Sequence, residues 1–140
     1  MAANEGDLID ALVRSSFAVM AVLSRIGAEH DLSLTQLRML GILRDRRVTM
    51  SELAGHLGLD KSTISGLVSR AEKRNLIGRA PNPADGRAVD VFLTAAGLEL
   101  AGRGAAQVAR ALSPMTGTLT PDQGDQLTAL LERLLAGGGR

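Results

Sequence analysis

Hydroxyl and basic side chains alternate with apolar ones in the segment KSTISGLVSRAEKRN, residues 61–75. A helix there buries Ile64, Leu67, Val68 and Ala71 on one side. The opposite side, called here the hydroxyl face, carries Ser62, Thr63, Ser65, Gly66, Ser69, Arg70 and Lys73, and Arg74 follows it. Such hydroxyls near a helix N-terminus donate to phosphates or base edges, and the basic residues reach guanine acceptors or backbone. The segment predicts contact with double-stranded DNA; the alternative is a set of exposed capping residues.

A second candidate group is Asp85, Gly86 and Arg87, at the tip of a predicted hairpin. An arginine at such a tip can enter a narrow minor groove, where the negative potential is strongest. Asp85 can orient Arg87 through a charge-assisted hydrogen bond. An ordinary turn-stabilising pair is the simpler interpretation of the tip alone. Beside helix 61–75, the tip favours a wing over residues 80–90 that contacts the minor groove.

Other kinds of chemistry have few candidate residues. The 140-residue chain has no cysteine, two histidines and 1% aromatic residues. Disulfides, thiolate chemistry and base stacking on aromatic side chains are therefore excluded, and a histidine-rich metal site is disfavoured. No nucleophile–base pair and no glycine-rich phosphate loop stands out, so we expect no enzyme, no cofactor and no metal.

Charge is unevenly distributed although the formal net charge is only +1. Residues 38–87 contain ten basic and five acidic residues, while the flanks contain six and ten. A basic centre between acidic flanks suits a centre that binds a polyanion, with flanks that do other work. Scatter over a solvated surface is the alternative.

The helices that must position these groups follow from capping and periodicity. Residues 5–29 predict a long helix with two adjacent apolar stripes, a face wide enough to be deeply buried or shared with a second chain. Ser33 with Gln36 and Thr49 with Glu52 predict capping boxes for the next two helices. Gly58 is a typical left-handed C-cap, and Asp60 is a good N-cap for helix 61–75.

After Asn75 the period changes to that of strands. LIGRA and RAVDVFLT are strand candidates, and the turn-rich PNPADG joins them. Thr94 then caps an alanine-rich helix over about 95–112, which we expect Pro114 to end. Thr120, Pro121 and Gln123 start a last leucine-striped helix. Two helices joined by GLD and followed by a hairpin predict a winged helix-turn-helix.

The segments SELAGHLGLDKSTISGLVSRAEKRNLIGR and DGRAVDVFLTAAG resemble the MarR family of bacterial transcriptional regulators. The second is similar to the wing signature of the family at Asp85, Arg87, Leu93 and Thr94. The resemblance implies a mainly α fold with a small β-hairpin wing and intertwined N- and C-terminal dimerisation helices. It divides the chain into 1–30 (dimerisation), 31–94 (DNA-binding lobe) and 95–140 (dimerisation).

The resemblance also implies a cytoplasmic homodimer that binds a pseudo-palindromic operator, usually as a repressor. Helix 61–75 would enter the major groove and the wing the minor groove. Many members respond to a small, often aromatic ligand. Phe17, Met20, Met39 and Leu43 are candidates for such an effector pocket, although an apolar helix face is more often plain core. A winged-helix module that binds only proteins is the alternative function, and no membrane contact is expected.

This chain departs from familiar members of the family in three respects. It lacks the cysteine of the peroxide-sensing branch. Gly66 stands on the hydroxyl face where many members have a larger polar residue. With few aromatic residues, the ligand pocket is left unspecified. His30, near the first inter-helix turn, is expected to be solvated or capping.

Overall fold

The structure, a computed structural model, describes residues 2–138. The described chain contains six helices and three short strands: α1 (Ala2–Glu29), α2 (Leu34–Leu43), β1 (Val48–Thr49), α3 (Met50–Leu57), α4 (Lys61–Lys73), β2 (Ile77–Pro81), β3 (Val89–Leu93), α5 (Ala95–Thr116) and α6 (Pro121–Gly137). A mostly helical chain with a small antiparallel sheet confirms the predicted fold class. Residue 1 and residues 139–140, at the outer ends of the predicted regions 1–30 and 95–140, lie outside the described part.

Helices α3 and α4 begin and end where local sequence predicts. The Thr49 hydroxyl accepts the Glu52 N–H, and the Glu52 carboxylate accepts the Thr49 N–H, which completes the capping box. Gly58 follows α3 with a φ of 66°, in the left-handed region that glycine occupies without strain. Asp60 then caps α4. Gly58 and Asp60 therefore define the turn between the two helices, while the capping box fixes the start of α3.

Strands β2 and β3 form the predicted hairpin. Their antiparallel register runs from Ile77 opposite Leu93 to Pro81 opposite Val89. Strand β1 is not predicted from the sequence, because two residues are too few to show an alternating pattern. Val48 of β1 pairs with Val91 on the side of β3 opposite β2, so β3 is the central strand. Since β1 leads directly into α3, this pairing fixes the wing beside the helix-turn-helix.

The core lies where α2, α3, α4 and the sheet meet. The largest fully buried side chains are Met39, Leu40, Leu53, Ile64, Val68 and Val91. Ala54 is buried in α3, as expected for a small residue where two helices approach closely. The predicted inner stripe of α4 is buried in full. This packing leaves the hydroxyl face of α4 directed away from the core.

Helix α5 starts against the end of α4. The Thr94 hydroxyl accepts the Gly97 N–H and donates to the Asn75 carbonyl. A Cβ atom at Gly97 would lie 2.0 Å from the Leu76 carbonyl oxygen, a distance that no side chain allows. A glycine is therefore required where α5 crosses the chain that enters β2.

Pro114 does not end α5, and that expectation is wrong. The helix continues to Thr116, with Pro114 inside its last turn. A proline removes the N–H that would bond the Arg110 carbonyl, four residues earlier. The Ser113 hydroxyl donates to that carbonyl instead, at 3.1 Å. This substitute bond explains how the last turn survives.

Helices α1 and α6 carry most of the large apolar side chains that stay uncovered. Along its described length, Pro121–Gly137, α6 buries no residue. The large apolar residues that stay exposed on these two helices, called here the apolar arm surface, are Leu8, Ile9, Val13, Phe17 and Met20 of α1 and Leu127, Leu130, Leu131, Leu134 and Leu135 of α6. Among residues 2–138, no helix is both long and apolar enough to cross a membrane.

Candidate nucleic-acid interface

The start of the hydroxyl face is organised by Asp60. Its carboxylate accepts the Thr63 N–H at 2.8 Å and the Ser62 hydroxyl at 3.0 Å. These bonds, the Thr63 backbone bond first, hold the pKa of Asp60 below its usual value. The Ser62 hydroxyl donates its proton to Asp60. Its oxygen can therefore accept a further hydrogen bond, but the hydroxyl cannot donate a second one. The hydroxyl of Thr63 remains exposed.

The rest of the hydroxyl face divides from the buried face as predicted. Ser65, Arg70 and Lys73 are exposed, while Gly66 and Ser69 are half-buried. A Cβ atom at Gly66 would lie 3.4 Å from Nη1 of Arg70. The Arg70 guanidinium therefore passes over the space that Gly66 leaves free. The division into two faces is confirmed, and contact with DNA stays a prediction.

Arg79 is a site residue that the sequence reasoning missed. From β2, its Nε donates to Oε1 of Glu72 at 2.8 Å, and its Nη2 donates to Oγ of Ser69 at 3.0 Å. Both partners belong to α4. The available signal was position: Arg79 follows the buried Ile77 by two residues, so both side chains lie on the same side of the strand.

The wing tip is held by backbone hydrogen bonds to two side chains. Asn82 Oδ1 accepts the N–H groups of Ala84 and Asp85, each at 2.9 Å. An Asp85 carboxylate oxygen accepts the Arg87 N–H at 3.0 Å and lies 3.6 Å from the Arg87 Nε. Asp85 therefore hydrogen-bonds the backbone of Arg87, whereas the predicted charge-assisted hydrogen bond to its side chain is not formed at 3.6 Å. The Arg87 side chain is 95% exposed and free to reach outward.

Asp90 joins the wing to the rest of the lobe, and its role was not predicted. It is buried, and its two oxygens accept from Nδ2 of Asn82 at 2.8 Å and from Nε of Arg47 at 2.9 Å. The Arg47 guanidinium also lies 4.8 Å from the centre of the Phe92 ring. The bond from Asn82, followed by Arg47, holds the pKa of Asp90 below its usual value, although burial opposes this.

The start of α4 and the wing face a common cleft of about 240 Å³. Lys61 and Ile64 of α4 line it, together with Thr49 and Ser51 at the start of α3, and Arg87 of the wing. Two cations, Lys61 and Arg87, thus border one concave surface. The fold thus brings the wing tip beside the start of α4, through Lys61 and Ile64 rather than through the residues of the hydroxyl face.

Arg74 has a different position from the one expected. Its Nη1 donates to the Asp31 carbonyl at 2.8 Å and its Nη2 to the His30 carbonyl at 2.9 Å. Both carbonyls belong to the turn between α1 and α2. The structure therefore gives Arg74 a bracing role between α4 and this turn, and we remove it from the predicted DNA-contacting set. The His30 ring, which is half-buried, in turn hydrogen-bonds Gln107 of α5 at 2.6 Å and so links the turn after α1 to α5.

Within the described residues, no group of histidine and acidic side chains is arranged to hold a metal ion.

Comparison with known proteins relates this geometry to a family. Residues 30–88 match the MarR family. The chain is 28% identical over 129 residues to the homoprotocatechuate degradative operon repressor of Escherichia coli, covering 91% of this chain and 87% of that protein. These matches make the chain similar to the MarR family of winged helix-turn-helix transcriptional regulators.

Solved structures of MarR proteins share the same architecture. A mutant MarR of Escherichia coli complexed with operator DNA is similar with a TM-score of 0.72 and 26% identity, covering 94% of this chain and 96% of that one. NadR, crystallised with 4-hydroxyphenylacetate, is similar with a TM-score of 0.82 and 23% identity, covering 89% of each chain. The likeness to NadR is one of fold.

The protein has a cavity of about 370 Å³ between α1, α2 and α5. Its lining is Val19, Leu23, Leu37, Arg38, Gly41, Ala101, Gly104, Ala105, Val108 and Ala109. None of the four predicted pocket residues lines it. Phe17 and Met20 are exposed on α1, whereas Met39 and Leu43 are buried in the core. Small side chains of α5, rather than large ones of α1 and α2, open this space.

Proposed function

We propose that this chain is a homodimeric repressor that binds a pseudo-palindromic operator and responds to a small ligand. Helix α4 enters the major groove of each half-site, and the wing enters the adjacent minor groove. One observation carries the proposal: the exposed hydroxyl face of α4 and the exposed Arg87 of the wing belong to one lobe, in which the start of α4 and Arg87 line a common cleft. The similar fold of a MarR protein complexed with operator DNA supports this interpretation.

Different residue types along the proposed surface suit different contacts with DNA. The start of α4 offers the hydroxyls of Thr63 and Ser65 and the positive end of the helix dipole, which suit phosphate or base-edge contacts. Arg70, one to two turns on, has the reach for the guanine acceptors. Phosphate contacts supply most of the affinity, and each good base contact adds about 1–3 kcal/mol of discrimination.

The apolar arm surface supports the proposed homodimer. Ten large apolar side chains stay exposed on α1 and α6, although their periodicity is that of buried helices. A second copy of the chain offers the same surface, which a two-fold axis would bring face to face. The two α4 helices would then meet successive major grooves, about 34 Å apart.

The cavity between α1, α2 and α5 supports response to a ligand. Apart from Arg38, every residue that lines it is apolar, so it fits an apolar body that carries one anionic group. Its walls belong both to the proposed dimerisation helices and to α2 of the DNA-binding lobe. A ligand there can change the spacing of the two α4 helices, and a mismatch with the groove repeat lowers affinity.

Selection of bound duplexes from a random-sequence pool tests the proposal. We expect two inverted half-sites with centres one helical turn apart, and an affinity that falls steeply as salt increases. The alternative module that binds only proteins predicts no enrichment and no such salt dependence. Failure to enrich any duplex from the pool therefore overturns the proposal.

A further inference from the structure

Arg79 connects the two parts of the proposed DNA-binding surface. It lies in β2, paired with Val91 of β3, and its guanidinium reaches across to Ser69 and Glu72 of α4. Among residues 2–138, the side-chain hydrogen bonds that join α4 to the wing strands are both made by Arg79. The other side-chain connection of the wing, through Asp90, leads to Arg47 and not to α4. Arg79 therefore supplies the side-chain hydrogen bonds between the wing strands and α4, beside the β1–β3 pairing and the shared core.

The partners of Arg79 indicate positioning rather than direct contact with DNA. Its Nε donates to Glu72 and its Nη2 donates to Ser69, and its side chain is only 30% exposed. The Arg87 side chain, by contrast, is 95% exposed. The bond from Arg79 also orients Ser69: the Ser69 oxygen accepts from the guanidinium, which leaves its own proton free to donate away from the wing.

We infer that Arg79 is a positioning residue, which sets the wing relative to α4 so that Arg87 and the hydroxyl face engage one operator half-site together. This inference rests on the proposed function. The guanidinium suits the task because its planar fork holds two acceptors at once in a fixed geometry. It also neutralises Glu72, whose carboxylate would otherwise repel phosphates beside Lys73.

A double-mutant cycle with Arg87 tests the inference. Affinities are measured by fluorescence anisotropy on a duplex that the wild-type protein selects from a random pool, for wild type, Arg79→Ala, Arg87→Ala and the double variant. If Arg79 positions the wing, the Arg87→Ala loss shrinks at least threefold in the Arg79→Ala background. Additive losses overturn the inference, since they mean that the two arginines act independently.

Two further measurements separate positioning from charge. A phosphate contact by Arg79 lowers the slope of log affinity against log salt by about one in Arg79→Ala, whereas positioning leaves this slope nearly unchanged. Arg79→Lys keeps the charge but cannot hold both acceptors in the same fork. We expect it to lose about three- to tenfold in affinity on the selected duplex, and wild-type affinity in Arg79→Lys overturns the inference.

Controls distinguish this result from loss of folding and from failure of the proposed function. Arg14→Ala breaks an arginine–carboxylate pair of the same 2.8 Å length on α1 and should leave binding unchanged. Arg79→Lys is the variant least disruptive to folding, and thermal unfolding checks each protein. A wild-type protein that selects no duplex overturns the proposed function itself; selection with additive losses overturns only the role of Arg79.

Discussion

Three aspartates border the proposed DNA-binding surface, and each has hydrogen-bond donors within reach. Asp60 accepts from Thr63 and Ser62, Asp85 from the backbone of Arg87, and Asp90 from side chains on two other segments. A carboxylate that is already paired repels phosphates less than a free one. At the scale of residues, Asp60 and Asp85 hold turns and Asp90 holds Arg47, while the Arg87 side chain stays exposed.

Replacement of Arg87 by alanine tests the minor-groove contact. A narrow A·T-rich minor groove has a strong negative potential, so an inserted arginine favours those sequences. We expect Arg87→Ala to weaken binding to duplexes with A·T-rich flanks about tenfold, roughly 1.4 kcal/mol, and binding to G·C-rich flanks much less. Titrations on the two duplexes measure this. Equal losses on both would mean that Arg87 makes a plain phosphate contact.

Replacement of Asp90 by asparagine changes the acid stability of the fold. The pKa of Asp90 is lowered in the folded state by Asn82 and Arg47, so the unfolded chain binds its proton at higher pH. This stabilisation is complete above the unfolded pKa, about 4, and is lost as the pH falls through the folded value. We expect the stability of Asp90→Asn to depend less on pH below about 4.

Urea unfolding between neutral and acid pH measures this effect. Asn82→Ala, which removes the largest cause of the lowered pKa, should reduce the same dependence in part. The lowered pKa values of Asp60 and Glu52 keep some of the slope in both variants. An Asp90→Asn protein with the full wild-type slope below pH 4 would contradict the assignment.

The elements of this chain differ in how far apart in the sequence the residues that stabilise them lie. Capping boxes at Ser33, Thr49 and Thr120 join residues three apart, so sequence reasoning finds them. Strand β1 exists because Val48 pairs with Val91, a partner 43 residues away, and no local pattern reveals it. The bond from Arg74 to the His30 carbonyl spans 44 residues and was missed for the same reason.

The residues of the candidate interface also differ in how far away in the sequence their partners lie. The exposed face of α4 was predictable, because helical periodicity alone divides hydroxyl from apolar positions. The roles of Arg79 and Asp90 were not, because their partners lie on other elements. The cavity was misjudged for a related reason: large apolar residues were expected to line it. Space opens instead where three alanines and one glycine of α5 face α2.

Replacement of Gly97 by alanine tests the junction between the lobe and α5. The new Cβ atom would lie 2.0 Å from the Leu76 carbonyl oxygen, so the backbone must shift. We expect a loss of about 2 kcal/mol or more in unfolding free energy, as for an overpacked core. Gly102→Ala is the matched control in the same helix, since nothing lies within 4 Å of its Cβ position.

Chemical denaturation of both variants checks this prediction. Gly102→Ala should be neutral or more stable by up to about 1 kcal/mol, because alanine is the better helix former. A Gly97→Ala protein as stable as Gly102→Ala would mean that α5 does not pack against the entry to β2 in solution.

The whole molecule combines a well-packed lobe with two helices, α1 and α6, whose apolar side chains stay uncovered in a single protomer. Between Leu8 of α1 and Leu130 and Leu134 of α6 lies an open apolar space of about 650 Å³. Helix α6 buries no residue along its described length, so it has little to hold it in a lone protomer. A second copy of the chain can cover this apolar surface, since the same sequence then supplies both sides of the interface.

Charged replacements on α6 test the proposed dimer. Leu130 and Leu134 are 56% and 45% exposed in the protomer. If the dimer buries the exposed half of each side chain, each contributes about 0.8–1.5 kcal/mol, half the value for full burial. Over two protomers, Leu130→Asp with Leu134→Asp should therefore weaken association by roughly 3 kcal/mol or more, over a hundredfold. Sedimentation velocity should find monomers at micromolar concentration, with operator affinity reduced to that of one half-site.

Ala129→Asp is the matched control for this double variant. It adds an acidic residue to the same helix, about half a turn from the leucine stripe, and should leave a dimer that binds the operator. A double variant that remains dimeric would exclude α6 from the interface. A wild-type protein that sediments as a monomer would remove the homodimer itself, and with it the paired α4 helices on which recognition of two half-sites depends.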